Sequence, residues 1–437
     1  MPDLESIASL VSSDGSLVSR RLWYDHEIYQ LEQERVFGRC WLFLGHISQI
    51  PSRGDFFTTT LGEEPVIVVR GQGDDVLVHI NSCRHRGLRV CRADSGNAKS
   101  FVCPYHGWTY KADGSLAGMP HAKTAYPDFD KTPFGLVAVP RVEVYKGLIF
   151  GNRDPNAPTL REYLGDMAFY LDAQLDRNEG GTEVVGGVQR WRIKTNWKMP
   201  AENQVGDVYH GDWSHQSVMR LQEMSGINQD PNGPITGNPD ILKNGINVAC
   251  GNGHGATTRF YPPDAHPDQR LPGEGPEIRP PEVNEYFRNA QPEADARLGP
   301  VKSRIKGATL TVFPTFGILG SVFTLRVGHP RGPEETEFWS WVLVDKDMPD
   351  EVKDYVRASY TMSFGPSGTF EADDGENWEQ VTEGARLRSM DDHPFIFGMN
   401  LGKEYEHPEI PGQCGYVHSE HTQRAMYRHW RDLMMKP

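Results

Sequence analysis

Two short segments rich in cysteine and histidine constrain the fold of this chain more than any other feature of its sequence. The first contains Cys83 and His85, the second contains Cys103 and His106, and seventeen residues separate them. Thiolates and neutral imidazoles are metal ligands, so the four side chains must come together if they serve one centre. Short β-rich runs divided by Gly, Asp and Pro turns surround both segments, which predicts a small all-β domain over residues 40–160.

The distribution of these four ligands separates two kinds of metal centre. Each segment supplies one Cys and one His, whereas a zinc finger more often pairs like ligands within a segment. A Rieske 2Fe–2S cluster needs both thiolates on one iron and both imidazoles on the other. Gly87 and Gly107 would permit tight loops that bring backbone N–H groups toward the sulfurs. The spacing therefore favours a Rieske cluster, with structural zinc as the alternative.

A second group of candidate ligands lies about a hundred residues further along the chain. Asp207, His210 and His215 fall within nine residues, and Asp207 and His210 would share one face of a helix. His215 would lie about 140° around a straight helix from His210. Both imidazoles could therefore hold one metal only if the helix bends, and Gly211 with Asp212 supplies a candidate break. The alternative is two ordinary histidines on a solvated helix.

A carboxylate is needed to complete such a site. Non-haem iron with open coordination positions is commonly held by two imidazoles and one carboxylate on one face. Four acids in residues 364–378 compete for this place, namely Glu371, Asp373, Asp374 and Glu376. Sequence chemistry alone does not choose between them.

Composition limits the classes of partner. The chain has 437 residues, enough for two or three domains, and its formal net charge is −14. This charge argues against a nucleic-acid or anionic-membrane partner, because both require a concentrated basic surface. No apolar run is long enough to span a bilayer and no signal peptide is apparent, so we expect a cytoplasmic protein. The six scattered cysteines do not suggest a disulfide framework.

The remaining pattern predicts an open sheet covered by helices. Apolar runs at 310–314, 321–327 and 338–344 predict antiparallel strands, and helices are predicted at 25–37, about 349–363 and 420–436. Residues 226–300 are rich in Gly, Pro and Asn, which predicts long loops that serve either as a lid or as a variable surface excursion. His254 and His266 lie there, and we assign them no metal role.

The two groups of motifs, taken in this order, resemble a known family. Cys83-x-His85 and Cys103-x-x-His106-Gly-Trp, followed by Asp207-x-x-His210-x₄-His215, are similar to the large (α) subunit of the Rieske non-haem iron aromatic-ring-hydroxylating dioxygenases. The likeness extends from about residue 20 to the C-terminus. R-C-W-L-F-L-G-H at 39–46 and H-P-R-G-P at 329–333 are typical of its biphenyl, toluene and phenylpropionate branch.

The resemblance implies an α+β fold, in which a small all-β Rieske domain is inserted near the N-terminus of a helix-on-antiparallel-sheet catalytic domain. We expect residues 1–39 to form a helical segment joining the catalytic domain. Residues 40–160 would form the Rieske 2Fe–2S domain, and residues 161–437 the catalytic domain with a mononuclear iron.

The resemblance also implies roles for single residues. The second Asp of the F-E-x-D-D run matches the family's ligand position, so Asp374 joins His210 and His215 at Fe(II). Asp207 would bridge His106 at the cluster to His210 in an adjacent subunit. We expect Glu371, Asp373 and Glu376 to be acids near a helix N-terminus, favoured there by the helix dipole.

The implied activity is cis-dihydroxylation of an aromatic ring with O2, using electrons from NAD(P)H that arrive through a reductase and a ferredoxin. Relatives are α₃β₃ hexamers or α₃ trimers, and this sequence does not show whether a β subunit exists. A Rieske monooxygenase or demethylase, an electron-transfer protein with a structural metal site, and a zinc-stabilised binding protein are the alternatives.

Positions that match the family's substrate pocket are mostly small or apolar, which suits a flat hydrocarbon. Gln204 departs from relatives that have Phe there. This glutamine leaves a substituted or carboxylated arene open as the alternative. No arginine is present among these positions to pair with a carboxylate, so we favour an uncharged ring. The predicted pocket residues are Asn203, Gln204, Gly211, Gly307, Leu319, Phe364 and Phe370.

Overall fold

The structure, a computed structural model, describes residues 4–73, 75–218, 220, 239–273 and 279–436. The chain divides into two compact units. The cluster unit is Phe37–Leu160, and the catalytic unit comprises the described parts of Met1–Val36 and Arg161–Pro437. Among the described residues, no helix is long and apolar enough to cross a membrane.

The cluster unit consists of three small antiparallel sheets and short helical turns. Its core contains both predicted cluster cysteines together with Trp108 and Tyr110. The sheets, in hydrogen-bonding order, are Arg141–Tyr145, Leu148–Asn152 and Leu42–His46; Val76–Ile80, Glu64–Arg70, Asp55–Leu61 and Ser95–Asn97; and Ser100–Val102, Thr109–Lys111 and Leu116–Gly118. The helical turns are Ile47–Gln49, Ala122–Ala125 and Thr132–Phe134. The predicted all-β character is confirmed.

The catalytic unit is built on one nine-stranded sheet whose neighbouring strands are all antiparallel. The hydrogen-bonding order is Thr182–Ile193, Thr336–Asp345, Thr324–Pro330, Phe316–Leu319, Ile305–Val312, Gly255–Phe260, Gly245–Ala249, Gln413–Tyr416 and Tyr405–Glu406. Its central strands are buried, as Thr324–Pro330 shows throughout its length. A separate pair joins Leu17–Val18 to Phe395–Ile396. The predicted helix-on-sheet architecture is confirmed, because helices Met167–Leu175 and Lys198–Gly206 pack on strand Ile305–Val312.

The catalytic unit also contains the following helices. The α-helices are Leu4–Ala8, His26–Arg35, Leu160–Leu164 (whose first residue belongs to the cluster unit), Met167–Leu175, Lys198–Gly206, Gly211–Ser214, Pro239–Asn244, Pro281–Lys302, Asp350–Phe364, Thr369–Ala385 and His421–Met435. The 3₁₀ turns are Arg20–Trp23, Pro267–Arg270 and Arg388–Met390.

The helix predicted to begin near Asp25 is confirmed, and its cause is visible. The Asp25 carboxylate accepts hydrogen bonds from the backbone N–H groups of Glu27 and Ile28, which lie in the first turn of the helix. The prediction of long loops over 226–300 is wrong for two parts of that range. Strands Gly245–Ala249 and Gly255–Phe260 lie there, and so does helix Pro281–Lys302. The rest of the prediction falls partly on residues 226–238 and 274–278, outside the described residues.

Helix Pro281–Lys302 begins at Pro281, where proline is tolerated in the first turn, and it also contains Pro292 and Pro300 in its interior. Its buried residues include Val283, Phe287, Ala294 and Leu298, which recur at helical spacing and face the core. Gly299 has a non-helical backbone conformation, where the helix is kinked. Apolar periodicity therefore outweighed the local breakers.

A buried ion pair fixes the start of helix Lys198–Gly206. The Lys198 ammonium lies 2.6 Å from Oε1 of Glu32, and both side chains are fully buried (0% exposed). Trp430 Nε1 donates to the same oxygen and Trp197 Nε1 donates to Oε2, each at 2.8 Å. Burial lowers the pKa of Lys198, and Glu32 opposes that shift. One carboxylate, that of Glu32, thus accepts hydrogen bonds from Lys198 and from both indoles.

The other end of this helix approaches the sheet closely because Gly255 has no side chain. A Cβ atom at Gly255 would lie 2.5 Å from Cγ2 and 2.7 Å from the backbone oxygen of Val205. Both distances are shorter than real Cβ contacts, so any larger residue would push the helix off the strand.

We expect Glu32→Gln to lower the free energy of unfolding by about 3–5 kcal/mol, because it leaves the Lys198 charge buried without its partner. Urea unfolding followed by tryptophan fluorescence measures the change. Glu34→Gln, on the same helix but exposed, is the matched control, with an expected change of about 0.5 kcal/mol or less. Equal effects of the two substitutions would contradict the anchoring role of the pair.

We expect Gly255→Ala to lower the free energy of unfolding by about 1–3 kcal/mol through overpacking against Val205. The same measurement on Gly384→Ala provides the control. In the part of the chain that the structure describes, no atom outside the adjacent residues and the helix's own backbone lies within 4 Å of a Cβ built at Gly384. Gly384 is in a helix, so alanine there should be neutral or stabilising. A destabilised Gly384→Ala with an unaffected Gly255→Ala would refute the close-packing argument.

Candidate active site

The two candidate histidines flank one short helix. Helix Lys198–Gly206 ends before Asp207, and His210 and His215 lie directly before and after helix Gly211–Ser214. The Asp207 carboxylate accepts a hydrogen bond from the backbone N–H of His210 at 3.3 Å. The chain was expected to break at Gly211–Asp212, and this position is wrong. The break comes earlier, where a side chain satisfies a backbone group that a continuous helix would have used.

Both imidazoles converge on one carboxylate oxygen. Oδ1 of Asp374 lies 3.3 Å from Nε2 of His210 and 3.4 Å from Nε2 of His215. One ligand atom from each of the three residues can be chosen so that all lie within 4.8 Å of one another. Two imidazoles and one carboxylate at this spacing form the facial arrangement that non-haem Fe(II) takes.

The donor atoms also fit a metal in their burial and charge. Oδ1 of Asp374 is buried, yet it makes no hydrogen bond of acceptable geometry, although two imidazole nitrogens are close to it. Burial raises the pKa of Asp374, but His210 and His215 outweigh that effect and lower it to about 2. The carboxylate is therefore ionised, with Oδ1 close to both imidazoles. A divalent cation there would satisfy an otherwise orphaned oxygen.

His210 has carboxylates on both sides. Burial lowers its pKa, but Asp207 and Asp374 outweigh burial and raise it to about 10. Oδ2 of Asp207 is 3.3 Å from Nδ1 of His210, while Asp374 is on the Nε2 side. Metal binding must displace a proton from this imidazole, because only the neutral ring offers a lone pair.

The four acids that the sequence left unresolved point in four directions. Asp374 faces the histidines, and Asp373 faces the other ring nitrogen of His215. Glu371 is buried in an ion pair with Arg326, whose Nη2 lies 2.8 Å from Oε2. Glu376 is exposed and contacts Gln380.

Two of these acids, Glu371 and Asp373, make specific side-chain contacts that were not predicted. Glu371 and Asp373 were assigned only to a favourable interaction with the helix dipole, but each has a defined side-chain partner. Arg326 also lies over the rings of Phe338, Trp191 and Trp378 at 5.1, 5.9 and 6.0 Å from their centroids. No signal in the sequence connects Glu371 with Arg326, because the pairing depends on where a distant strand meets the helix.

The predicted pocket residues fall into two groups. Nδ2 of Asn203 is 3.4 Å from both ring nitrogens of His210, and Gly211 directly follows that histidine. Phe370 makes an edge contact with the ring of His215, with centroids 4.8 Å apart, and Phe364 stacks on Phe370 at 5.2 Å. These four residues therefore lie in direct contact with, or one ring removed from, the candidate ligands.

The remaining pocket candidates are placed on the helix and on the sheet. Gln204 is buried on helix Lys198–Gly206. A Cβ atom at Gly317 would lie only 2.3 Å from its Oε1 atom. Gly307 and Leu319 are on neighbouring strands. A Cβ at Gly307 would lie 2.3 Å from Nε2 of Gln174, a residue that the sequence analysis did not select. Two glutamine side chains thus fit against glycines of the sheet.

The predicted cluster ligands lie on two similar loops, whose histidines meet. The backbone N–H of Gly87 donates to the carbonyl of Cys83, and that of Gly107 donates to the carbonyl of Cys103. Both glycines have positive φ, +75° and +71°, a conformation in which a side chain would be strained. The glycines therefore close the two loops, each of which carries one predicted Cys ligand.

The four ligands divide by residue type, as a Rieske cluster requires. Both thiols are buried, while Nδ1 of His85 lies 3.1 Å from Nδ1 of His106 nearer the surface. Burial, His106 and Arg86 lower the pKa of His85, which favours the neutral ring that binds metal. Trp108 stacks on His85, and the Tyr110 hydroxyl is 3.3 Å from Sγ of Cys83. A hydrogen bond from this hydroxyl to a ligand sulfur would tune the cluster potential, and no sequence motif marks Tyr110.

Comparisons with known proteins agree with this geometry. Residues 160–436 match the family described as the ring hydroxylating alpha subunit (catalytic domain), and residues 40–143 match the Rieske 2Fe–2S domain. The chain is 41% identical to the biphenyl 2,3-dioxygenase subunit alpha of Rhodococcus jostii (strain RHA1), over 99% of this chain and 92% of the relative. It is 40% identical to a benzene 1,2-dioxygenase subunit alpha of Pseudomonas putida, over 99% and 94%.

A solved structure shows the same fold. Naphthalene 1,2-dioxygenase with indole bound in its active site superimposes with a TM-score of 0.88 at 33% identity, covering 98% of this chain and 94% of that one. The expected family, cofactors and reaction class are confirmed by these matches. The chain belongs to the Rieske non-haem iron aromatic-ring-hydroxylating dioxygenases, as an α subunit that carries a Rieske 2Fe–2S cluster and a mononuclear non-haem iron.

Proposed function

We propose that this α subunit cis-dihydroxylates an uncharged aromatic hydrocarbon at a mononuclear Fe(II) site formed by His210, His215 and Asp374. The observation that carries the proposal is the convergence of both Nε2 atoms on Oδ1 of Asp374. In the balanced reaction, the arene, O2, two electrons and two protons give a cis-dihydrodiol. When bound, the 2Fe–2S cluster supplies the electrons one at a time, and the mononuclear iron activates O2.

The cluster ligands are Cys83, His85, Cys103 and His106 in this proposal. The two thiolates are buried in the core of the cluster unit, which excludes water from the sulfurs. His85 and His106 remain partly exposed, so electrons leave through the imidazole side. NAD(P)H is the source of the electrons, and a reductase and a ferredoxin carry them to the cluster.

The substrate preference is supported by the residues next to the ligands. Phe364 and Phe370 form a stacked aromatic pair in contact with His215, which offers a flat apolar wall. The other proposed pocket residues are Asn203, Gln204, Gly211, Gly307 and Leu319, none of which carries a charge that would attract a carboxylated ring. The relatives named for biphenyl and benzene are consistent with an uncharged arene.

We assign Asp207 to electron transfer between copies of the chain. Its carboxylate orients His210 through Nδ1 and remains about one third exposed, so it can also accept a hydrogen bond from His106 of an adjacent subunit. The exposed arginines 84, 86, 89 and 92 lie in the segment 83–92, which begins with the Cys83–Gly87 loop, in a chain whose net charge is −14. Charge attraction between this segment and an acidic neighbour would support an α₃ trimer, alone or within an α₃β₃ hexamer. We place the enzyme in the cytoplasm, where NAD(P)H is available.

The assay that tests the reaction uses the purified oxygenase with a surrogate reductase and ferredoxin, NADH and isotopically heavy O2. Biphenyl, benzene, naphthalene and benzoate form the substrate panel. We expect cis-dihydrodiols from the uncharged arenes, with both oxygen atoms derived from one O2, as mass spectrometry shows. A product carrying a single heavy oxygen, or a dealkylated product, would instead indicate a monooxygenase or demethylase.

A second prediction isolates the mononuclear site. Asp374→Ala should retain the visible spectrum of the Rieske cluster, lose the iron that is not part of the cluster, and lose dihydrodiol formation. Glu376→Ala, an exposed acid on the same helix, should keep all three properties. Metal analysis and absorption spectra are the measurements. Full iron content in Asp374→Ala would show that another residue binds the iron.

A further inference from the structure

One face of helix Thr369–Ala385 contacts the segment that carries His215. Residues 370, 373, 374 and 377 share this face, because they follow the spacing of one helical stripe. Phe370 contacts the ring of His215 edge-on, and Asp374 faces its Nε2 atom. Nδ2 of Asn377 donates to Oγ of Ser214 at 3.0 Å. Asp373 supplies the remaining contact, with Oδ2 lying 3.2 Å from Nδ1 of His215.

The ring of His215 is therefore held between two adjacent carboxylates of one helix. Asp374, 5% exposed, is on the buried side of the ring, and Asp373, 30% exposed, is on the solvent side. His210 has the same construction, since its Nε2 faces Asp374 and its Nδ1 faces Asp207. Each candidate histidine thus directs one nitrogen at the shared carboxylate and the other at a carboxylate of its own.

A carboxylate that faces Nδ1 has a defined effect on the opposite nitrogen. When it accepts the Nδ1–H proton, the imidazole is fixed in the tautomer whose lone pair is on Nε2. The hydrogen bond also fixes the ring plane and increases the basicity of Nε2 toward a metal. For His215, Nε2 is the nitrogen that faces Asp374.

We propose that Asp373 is a positioning residue that fixes the tautomer and orientation of His215 and so strengthens Fe(II) binding at the mononuclear site. This inference rests on the proposed iron site. In this proposal Asp373 orients His215 as Asp207 orients His210. Unlike Asp207, Asp373 takes no part in electron transfer to another subunit. Asp373 does not bind the metal, because its carboxylate is on the far side of the ring.

Metal affinity tests the proposal without turnover. The mononuclear iron is removed by a mild chelator from the protein that retains its 2Fe–2S cluster, and the site is titrated with Co(II). We expect Asp373→Ala to bind Co(II) about 10–100-fold more weakly than the wild type. Asp373→Asn should lose less affinity, because its amide oxygen still accepts the Nδ1–H proton. Asp373→Glu, which keeps a carboxylate, should bind Co(II) more tightly than Asp373→Ala and less tightly than the wild type.

Two controls separate positioning from general damage. Glu376→Gln, on the exposed side of the same helix, should bind Co(II) as the wild type does. The EPR signal of bound Co(II) should change in Asp373→Ala, while the Rieske spectrum and the unfolding midpoint stay constant. A merely structural role would move the unfolding midpoint and leave the Co(II) signal as it is.

The outcomes also distinguish this inference from the proposed function. Wild-type affinity and an unchanged Co(II) signal in Asp373→Ala would overturn the role of Asp373 and leave the iron site standing. If the wild-type protein bound no Co(II), or bound it equally after Asp374→Ala, the proposed iron site would be wrong and the inference would fall with it.

Discussion

The buried carboxylate of Asp374, placed between two imidazoles, is the interaction on which the rest of the catalytic unit depends. An isolated charge in this position would be too costly to bury, and its pKa would rise. The two histidines reverse that shift and keep the carboxylate ionised. A chain that maintains a charge inside the protein without a full set of hydrogen bonds has a ready site for a cation. The fold can thus be understood as the means of holding three ligands, which come from two distant segments, around that charge.

Buried ion pairs hold the two helices next to these ligands. Lys198 and Glu32 fix the start of the helix that leads to His210, and Arg326 and Glu371 fix the helix that carries Asp374. Both pairs are almost completely buried, and aromatic side chains surround them. Apolar pairs of the same volume could give equal stability. The directional contacts of an ion pair also fix the position of each helix along its neighbour, which a metal site requires within a fraction of an ångström.

How much of the fold and of the candidate site could be predicted from the sequence depends on how far apart the interacting residues lie along the chain. The cluster motif, the Asp25 cap and the main strands depend on short spacings, which the sequence displays directly. The helix breaks before His210 because the Asp207 carboxylate accepts a hydrogen bond from the backbone N–H of His210. Local sequence patterns are equally compatible with breaks at other positions. The helix at Pro281–Lys302 was missed because breaker residues were given more weight than the apolar spacing of Val283 and Phe287.

The choice among the four acids near Asp374 could not be made from their chemistry, and the family resemblance was needed. The structure gives each acid a different set of contacts, and the contacted residues are between four and more than a hundred and fifty residues away in the sequence. The same is true of Gln174 against Gly307 and of Tyr110 against Cys83, neither of which stands out as a motif. Residues that support ligands, unlike the ligands, carry no recognisable spacing. Their identification required the fold.

The central claim is that one polypeptide holds iron in two chemically distinct places, one saturated by cysteine and histidine and the other open to O2 and an arene. Iron and acid-labile sulfide analysis of the purified enzyme, before and after mild chelation, tests this most directly. The account predicts about three irons and two sulfides per chain, with one iron removed by the chelator while the cluster spectrum is unchanged. A chain that contained only the cluster iron, or zinc in place of the removable ion, would contradict it.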